Sequence, residues 1–140
     1  MAKMQRDKGM RGERELLGLL SEQLGTVVQR NLVQTRDSGA DSLSIPGFSI
    51  EVKRQETPFR QAWWDQVNAT RTRTGVAPCK GVIPVLFYRQ SRHPWTAVFD
   101  LADIYPNVDA GSLCHTDLPT ICQLIREEYP HVRHEEKAVA

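Results

Sequence analysis

The chain has 140 residues, which suits one domain with room for a real core. Apolar residues make up 40% and charged residues 25%, as in a globular protein, and no uninterrupted apolar run approaches the roughly 20 residues of a membrane span. The start of the chain is charged and has no apolar signal core, so the expectation is a cytoplasmic protein without a membrane partner. Cys79, Cys114 and Cys122 lack paired spacing and read as free thiols, not as a disulfide or zinc set. Net charge is only +1, but it is unevenly spread. Residues 1–93 hold 15 Lys/Arg against 9 Asp/Glu, and residues 94–140 hold 3 against 8. A polyanion partner at the basic end competes with a merely polarised, solvated surface.

Residues 1–8 are polar and basic and read as a loose arm. From Gly9 to Leu24 the pattern is helical, because Leu16, Leu17, Leu20 and Leu24 recur at three- and four-residue steps. Glu13 stands in line with that stripe, at its start. It is either a first-turn acid favoured by the helix dipole or an acid that needs a partner or a metal. Gly25 ends the helix, and residues 26–33 read as a strand from their β-branched content. A second short strand runs from Asp41 to Ile45, Pro46-Gly47 makes a tight turn, and Phe48 to Arg54 form the next strand. That hairpin brings Asp41 near Glu51.

Residues 60–74 form a second helix with Trp63, Val67 and Thr70 along one side. Trp63 is expected in the core, and Trp64, about 100° further round, at an interface or on DNA. Val82 to Tyr88 is a nearly continuous apolar run, the mark of a strand buried on both faces, although Pro84 needs an unpaired backbone position. Residues 95–99 form another strand, 101–104 a single helical turn, 106–115 an irregular stretch and 117–129 a final helix. Residues 131–140 read as a frayed tail, and nothing marks a domain linker. The whole is one α/β domain, residues 1–140.

Chemistry concentrates at Ser49-Ile50-Glu51-Val52-Lys53-Arg54. Side chains alternate along a strand, so Ile50 and Val52 seal a core while Glu51 and Lys53 share the other face. Asp41 and Glu51 are two carboxylates able to hold Mg²⁺ (or Mn²⁺) with open positions for water and substrate, and the Val52 carbonyl is a third oxygen. Lys53 can hold or help deprotonate an attacking water and offset phosphate charge. Glu13 can bind a second metal or orient a water. None of the four His has ligand spacing near this cluster, which favours an oxygen-ligand cation over zinc.

Glu13 in Gly12-Glu13-Arg14-Glu15, then Asp41, then Ile50-Glu51-Val52-Lys53 resembles the PD-(D/E)xK nuclease superfamily. Lys8-Gly9-Met10-Arg11-Gly12-Glu13-Arg14-Glu15 is similar to the helix start of archaeal-type Holliday-junction resolvases. The likeness spans residues 8–88, and Ala40 stands where the superfamily motif usually has Pro. It implies a restriction-endonuclease-like mixed sheet flanked by helices, an αβββαβ core here joined by an extra strand and a C-terminal helix. It also implies Mg²⁺-dependent cleavage of DNA, branched DNA in the resolvases, and often a homodimer. Asp41 and Glu51 become metal ligands, Lys53 the catalytic lysine and Glu13 the helix-borne acid. Gln66 resembles a Gln that viral-type replication–repair nucleases carry after the Glu-x-Lys strand. Phosphate contacts then fall to Lys8, Arg11, Arg14, Arg30, Arg36, Arg54, Arg60, Arg71 and Arg73, with Arg36 foremost because it precedes Asp41. Two alternatives stand beside junction cleavage. One is a nuclease of the same fold acting on flaps, nicks, single strands or plain duplex; the other is a DNA-binding module without chemistry.

Overall fold

The computed structural model describes residues 2–30, 41, 45, 47–73, 83–105 and 107–127. Helix α1 spans Ala2–Leu24. It includes residues 2–8, where polarity alone suggests an arm. Nothing there breaks a helix, and Ala, Lys, Met, Gln and Arg are strong helix formers. Leu16, Leu17 and Leu20 are buried, so the leucine stripe faces the core as its spacing predicts. Gly25 has φ 64° and ends the helix in the left-handed conformation that glycine adopts without strain.

Residues 26–30 form no strand, contrary to the sequence expectation. The Val28 N–H donates to Ser21 Oγ at 2.9 Å, and that hydroxyl donates to Leu17 O at 2.7 Å. Val28 is thereby buried against α1, its N–H committed to the helix and not to a ladder. Residues 31–33 lie outside the described residues, as do 42–44. Asp41 and Ile45 are both in bends.

Strand β1 is Phe48–Arg54, within the limits the alternation set. Gly47 at φ 83° and the bond from Phe48 N–H to Ile45 O at 3.0 Å make the turn before it. Helix α2, Gln61–Arg73, then carries the chain over the sheet to β2, Ile83–Arg89, which runs parallel to β1. Strands β3, Thr96–Asp100, and β4, Leu113–Asp117, add in antiparallel fashion, giving the order β1-β2-β3-β4. Between them, the 3₁₀ turn Leu101–Asp103 is capped by Asp100, whose carboxylate also accepts the Gly111 N–H. Residues 118–127 are helical; we call them α3.

Two expectations about strands resolve here. Strand β4 falls partly in a stretch read as irregular. Its sequence, Leu-Cys-His-Thr-Asp, carries little apolar alternation, and it becomes a strand by pairing with β3. Pro84 fits a buried strand because Ile83 N–H donates to Gly47 O on the β1 side. Alternation turns the Pro84 nitrogen toward β3, and the β2–β3 register covers only Leu86 to Tyr88.

The sheet has helices on both faces. On one, α1 and α3 pack over Phe48, Ile50, Val85, Phe87, Ala97 and Phe99. On the other, Trp64 of α2 seals Leu86 and Val98. Trp64 is 4% exposed and so is core, while Trp63 is half-buried beside it. The sequence suggested the reverse, because the rotation of α2 is set by which of its residues meets β2 and β3. The result is a mixed α/β domain with a four-stranded mixed sheet. Among the described residues only β1 stands between α1 and α2, where an αβββαβ core needs three strands. No described helix is long and apolar enough to cross a membrane.

Candidate active site

Asp41 lies on the outer edge of β1, held by backbone and side chain together. Its N–H donates to Ile50 O at 2.8 Å, and its Oδ2 accepts the Val52 N–H at 2.7 Å. These two bonds bracket Glu51, and Asp41 is 5% exposed. Asp41 thus lies beside Glu51 as expected, although Asp41 and Ile45 are in bends and no strand is described there to complete a hairpin. The Asp41 and Glu51 carboxyls stand close enough for each to raise the cost of ionising the other.

Electrostatics follow from that contact. Burial, and then the Asp41 charge, push the Glu51 carboxyl up to about 8, against a smaller opposing pull from the Lys53 ammonium. Lys53 is two residues along β1 on the Glu51 face, as alternation demands. Glu13, on α1, is raised by burial first and by Asp41 second, with Arg30 pulling the other way. Arg30 Nε stands 3.3 Å from Glu13 Oε1, yet that oxygen is buried and makes no hydrogen bond. The pair attracts through space without aligned donor geometry. Glu13, Asp41, Glu51 and Lys53, scattered over 41 positions of the sequence, therefore act on one another.

What brings Glu13 there is a close approach of helix and strand. A Cβ at Gly12 would lie 2.8 Å from Arg54 Cβ and 2.9 Å from its Cγ. Only glycine lets α1 settle this near the end of β1. Glu13 also borders a small open cleft of about 90 Å³ with Met10, Arg14, Leu17 and Arg30.

The other residues singled out from sequence divide in two. Lys8 and Arg54 both pair with Glu56, and Arg54 also donates to Ser91 Oγ at 3.0 Å and Arg89 O at 3.4 Å. Ser91 Oγ in turn donates to Glu56 Oε1 at 2.7 Å. The hydrogen bonds from Lys8, Ser91 and Arg54 hold Glu56 down at about 2, so its charge persists at any moderate pH and is lost only as the pH falls toward that value. Sequence reading missed this carboxylate, because its partners lie up to 48 residues away. It also missed Glu15, which accepts from Arg89 and from Trp95 Nε1 at 3.2 Å. Arg11, Arg14, Arg30 and Arg60 are exposed. Gln66 is exposed on α2. Arg36 and Cys79 lie outside the described residues, as do the side chains of Arg71 and Arg73. Cys122 packs in the core, where burial pushes its thiol up to about 11.

A hard cation suits this donor set. Asp41 and Glu51 offer paired oxygens that repel when both are ionised, and Glu13 adds a buried oxygen lacking a hydrogen bond. Among the described residues no three His, Cys, Asp or Glu side chains already stand as a coordinating group. Mg²⁺ commonly takes one or two carboxylates and keeps several waters, and the pair offers two. No family model, curated protein or solved structure matches the chain.

Proposed function

We propose that the chain is a Mg²⁺- or Mn²⁺-dependent endodeoxyribonuclease of the PD-(D/E)xK type, with a restriction-endonuclease-like fold. The observation that carries the reading is Asp41, bonded through Oδ2 to the Val52 N–H and so set beside Glu51 and Lys53 of β1, with Glu13 of α1 close enough to feel the Asp41 charge. Asp41, Glu51 and the Val52 carbonyl would hold the cation. When bound, it supplies an acidified water and a positive charge against the phosphate oxygens. Lys53 offsets charge on the scissile phosphate and fixes the attacking water. Glu13 accepts a hydrogen bond from that water and so orients it. The Arg30 guanidinium beside Glu13, with exposed Arg11 and Arg14 on the same helix, suits a DNA backbone. Likeness to the resolvases extends the reading to branched DNA and a homodimer.

Incubation with a four-way junction, a flap and plain duplex, with and without Mg²⁺ or Mn²⁺, tests it. Cleavage requires the cation, and Asp41→Asn and Lys53→Ala abolish it while leaving binding largely intact. Binding with no cleavage in either cation leaves a DNA-binding module in place of the enzyme.

A further inference from the structure

The α2 side of the sheet carries a second cluster that the proposed reaction does not use. Sheet register runs from Glu51 through Leu86 and Val98 to His115, and from Lys53 to Tyr88. Tyr88 and His115 therefore share a face with Glu51 and Lys53. Tyr88 is one strand from Lys53, about 5 Å, and His115 is three strands from Glu51, about 14 Å. Phe59, just before α2, and Trp63, in its first turn, close over them. The Phe59 ring meets His115 edge-on at 4.7 Å, Tyr88 at 5.4 Å and Trp63 at 5.9 Å. The Tyr88 hydroxyl lies 3.5 Å from His115 Nδ1.

This cluster is not sealed. His115 is exposed and Phe59, Trp63 and Tyr88 are half-buried, while Trp64, Leu86 and Val98 beneath them are buried. We infer that it is a stacking platform for an unpaired base of the DNA strand that reaches Lys53, so that the substrate class is DNA with a single-stranded segment beside the cleaved bond. Three features favour this occupant. The rings begin one strand from Lys53, on the face that carries it and Glu51. Exposed Arg60 adjoins Phe59. Any base presents a π-face to an aromatic ring, but a base inside a duplex has its faces already stacked.

The inference rests on the nuclease reading, and its test separates the two. Anisotropy in EDTA compares a labelled thymidine oligonucleotide with an abasic oligonucleotide of equal length, which keeps the phosphates and removes the bases. The wild-type chain prefers the thymidine strand by about tenfold. His115→Ala, a surface change, removes most of that preference and leaves abasic binding unchanged, whereas His115→Phe retains it. Equal affinity for both strands, or a preference that survives both His115→Ala and Trp63→Ala, overturns the platform. So does a wild-type dimer in sedimentation that His115→Ala dissociates, which makes the cluster a protein contact. Duplex cleavage in Mg²⁺ with no base preference overturns the platform alone; base preference without cleavage supports the platform and overturns the nuclease.

Discussion

Glu51→Gln tests the carboxyl pair without changing its shape. Burial and the Asp41 charge raise Glu51 from an ordinary 4.5 to about 8. Between those values the folded chain keeps a proton that the unfolded chain has released. Fewer protons on the unfolded state mean that stability falls as the pH rises through this window. Below the ordinary value the group has no effect. At about pH 7 the retained proton costs about 3 kcal/mol, at about 1.4 kcal/mol per pH unit. Gln keeps an N–H donor for Asp41 and does not titrate. The substitution therefore raises stability by up to about 3 kcal/mol near pH 7, is nearly neutral near pH 5, and abolishes cleavage. Urea unfolding of both proteins at several pH values, followed by tryptophan fluorescence, reads the difference. Mg²⁺ provides a second arm under the proposed function: a cation held by the ionised pair would stabilise the wild-type chain increasingly with pH, and the variant would gain little. Wild-type stability that is flat from about pH 5 to about pH 8, or a variant less stable than wild type near pH 7, refutes the proton retained on Glu51.

Gly12→Ala meets Arg54 at 2.8 Å, and overpacking of about 1–3 kcal/mol outweighs the gain of up to about 1 kcal/mol in helix propensity, so the melting temperature falls. Gly18→Ala on the same helix meets nothing within 4 Å and raises it, by about 0.5–1 kcal/mol of stability; equal shifts in the two variants would remove the close approach of α1 and β1. Trp64→Ala loses about 3–5 kcal/mol in chemical denaturation, and Trp63→Ala, half-buried, loses less. A larger loss at Trp63 would reverse the orientation of α2.

The parts of the site that lie close together in sequence were legible from it. Asp41 to Lys53 spans 13 residues, and a period of two places Glu51 and Lys53 on one face. Glu13 was legible for the same kind of reason, since a period of 3.6 aligned it with Leu16, Leu17 and Leu20. What stayed hidden depends on partners far along the chain. The burial of Trp64 is decided by Leu86 and Val98, β4 by its pairing with β3, and the Glu56 cluster by Lys8 and Ser91. None of these leaves a local pattern. Gly12 gave half a signal: its place in a resolvase-like helix start was visible, but the Arg54 side chain that forbids a Cβ there was not.

The same contrast bears on why the Asp41–Glu51 pair is informative. Leucines on α1, the apolar faces of β2 and β3, and the capping bonds of Asp100 all agree with the fold, and each contributes to its stability. Glu51 does not. The fold half-buries it against a second carboxyl, and a neutral amide of the same shape would serve the packing better. Such conflicts between local chemistry and the global structure concentrate at functional sites. Glu13 adds a second instance within reach of the first, with a buried oxygen that Arg30 approaches without bonding. A single buried acid has many explanations. Two that oppose each other's ionisation, and a third that feels the same charge, are what a divalent cation and its waters would relieve.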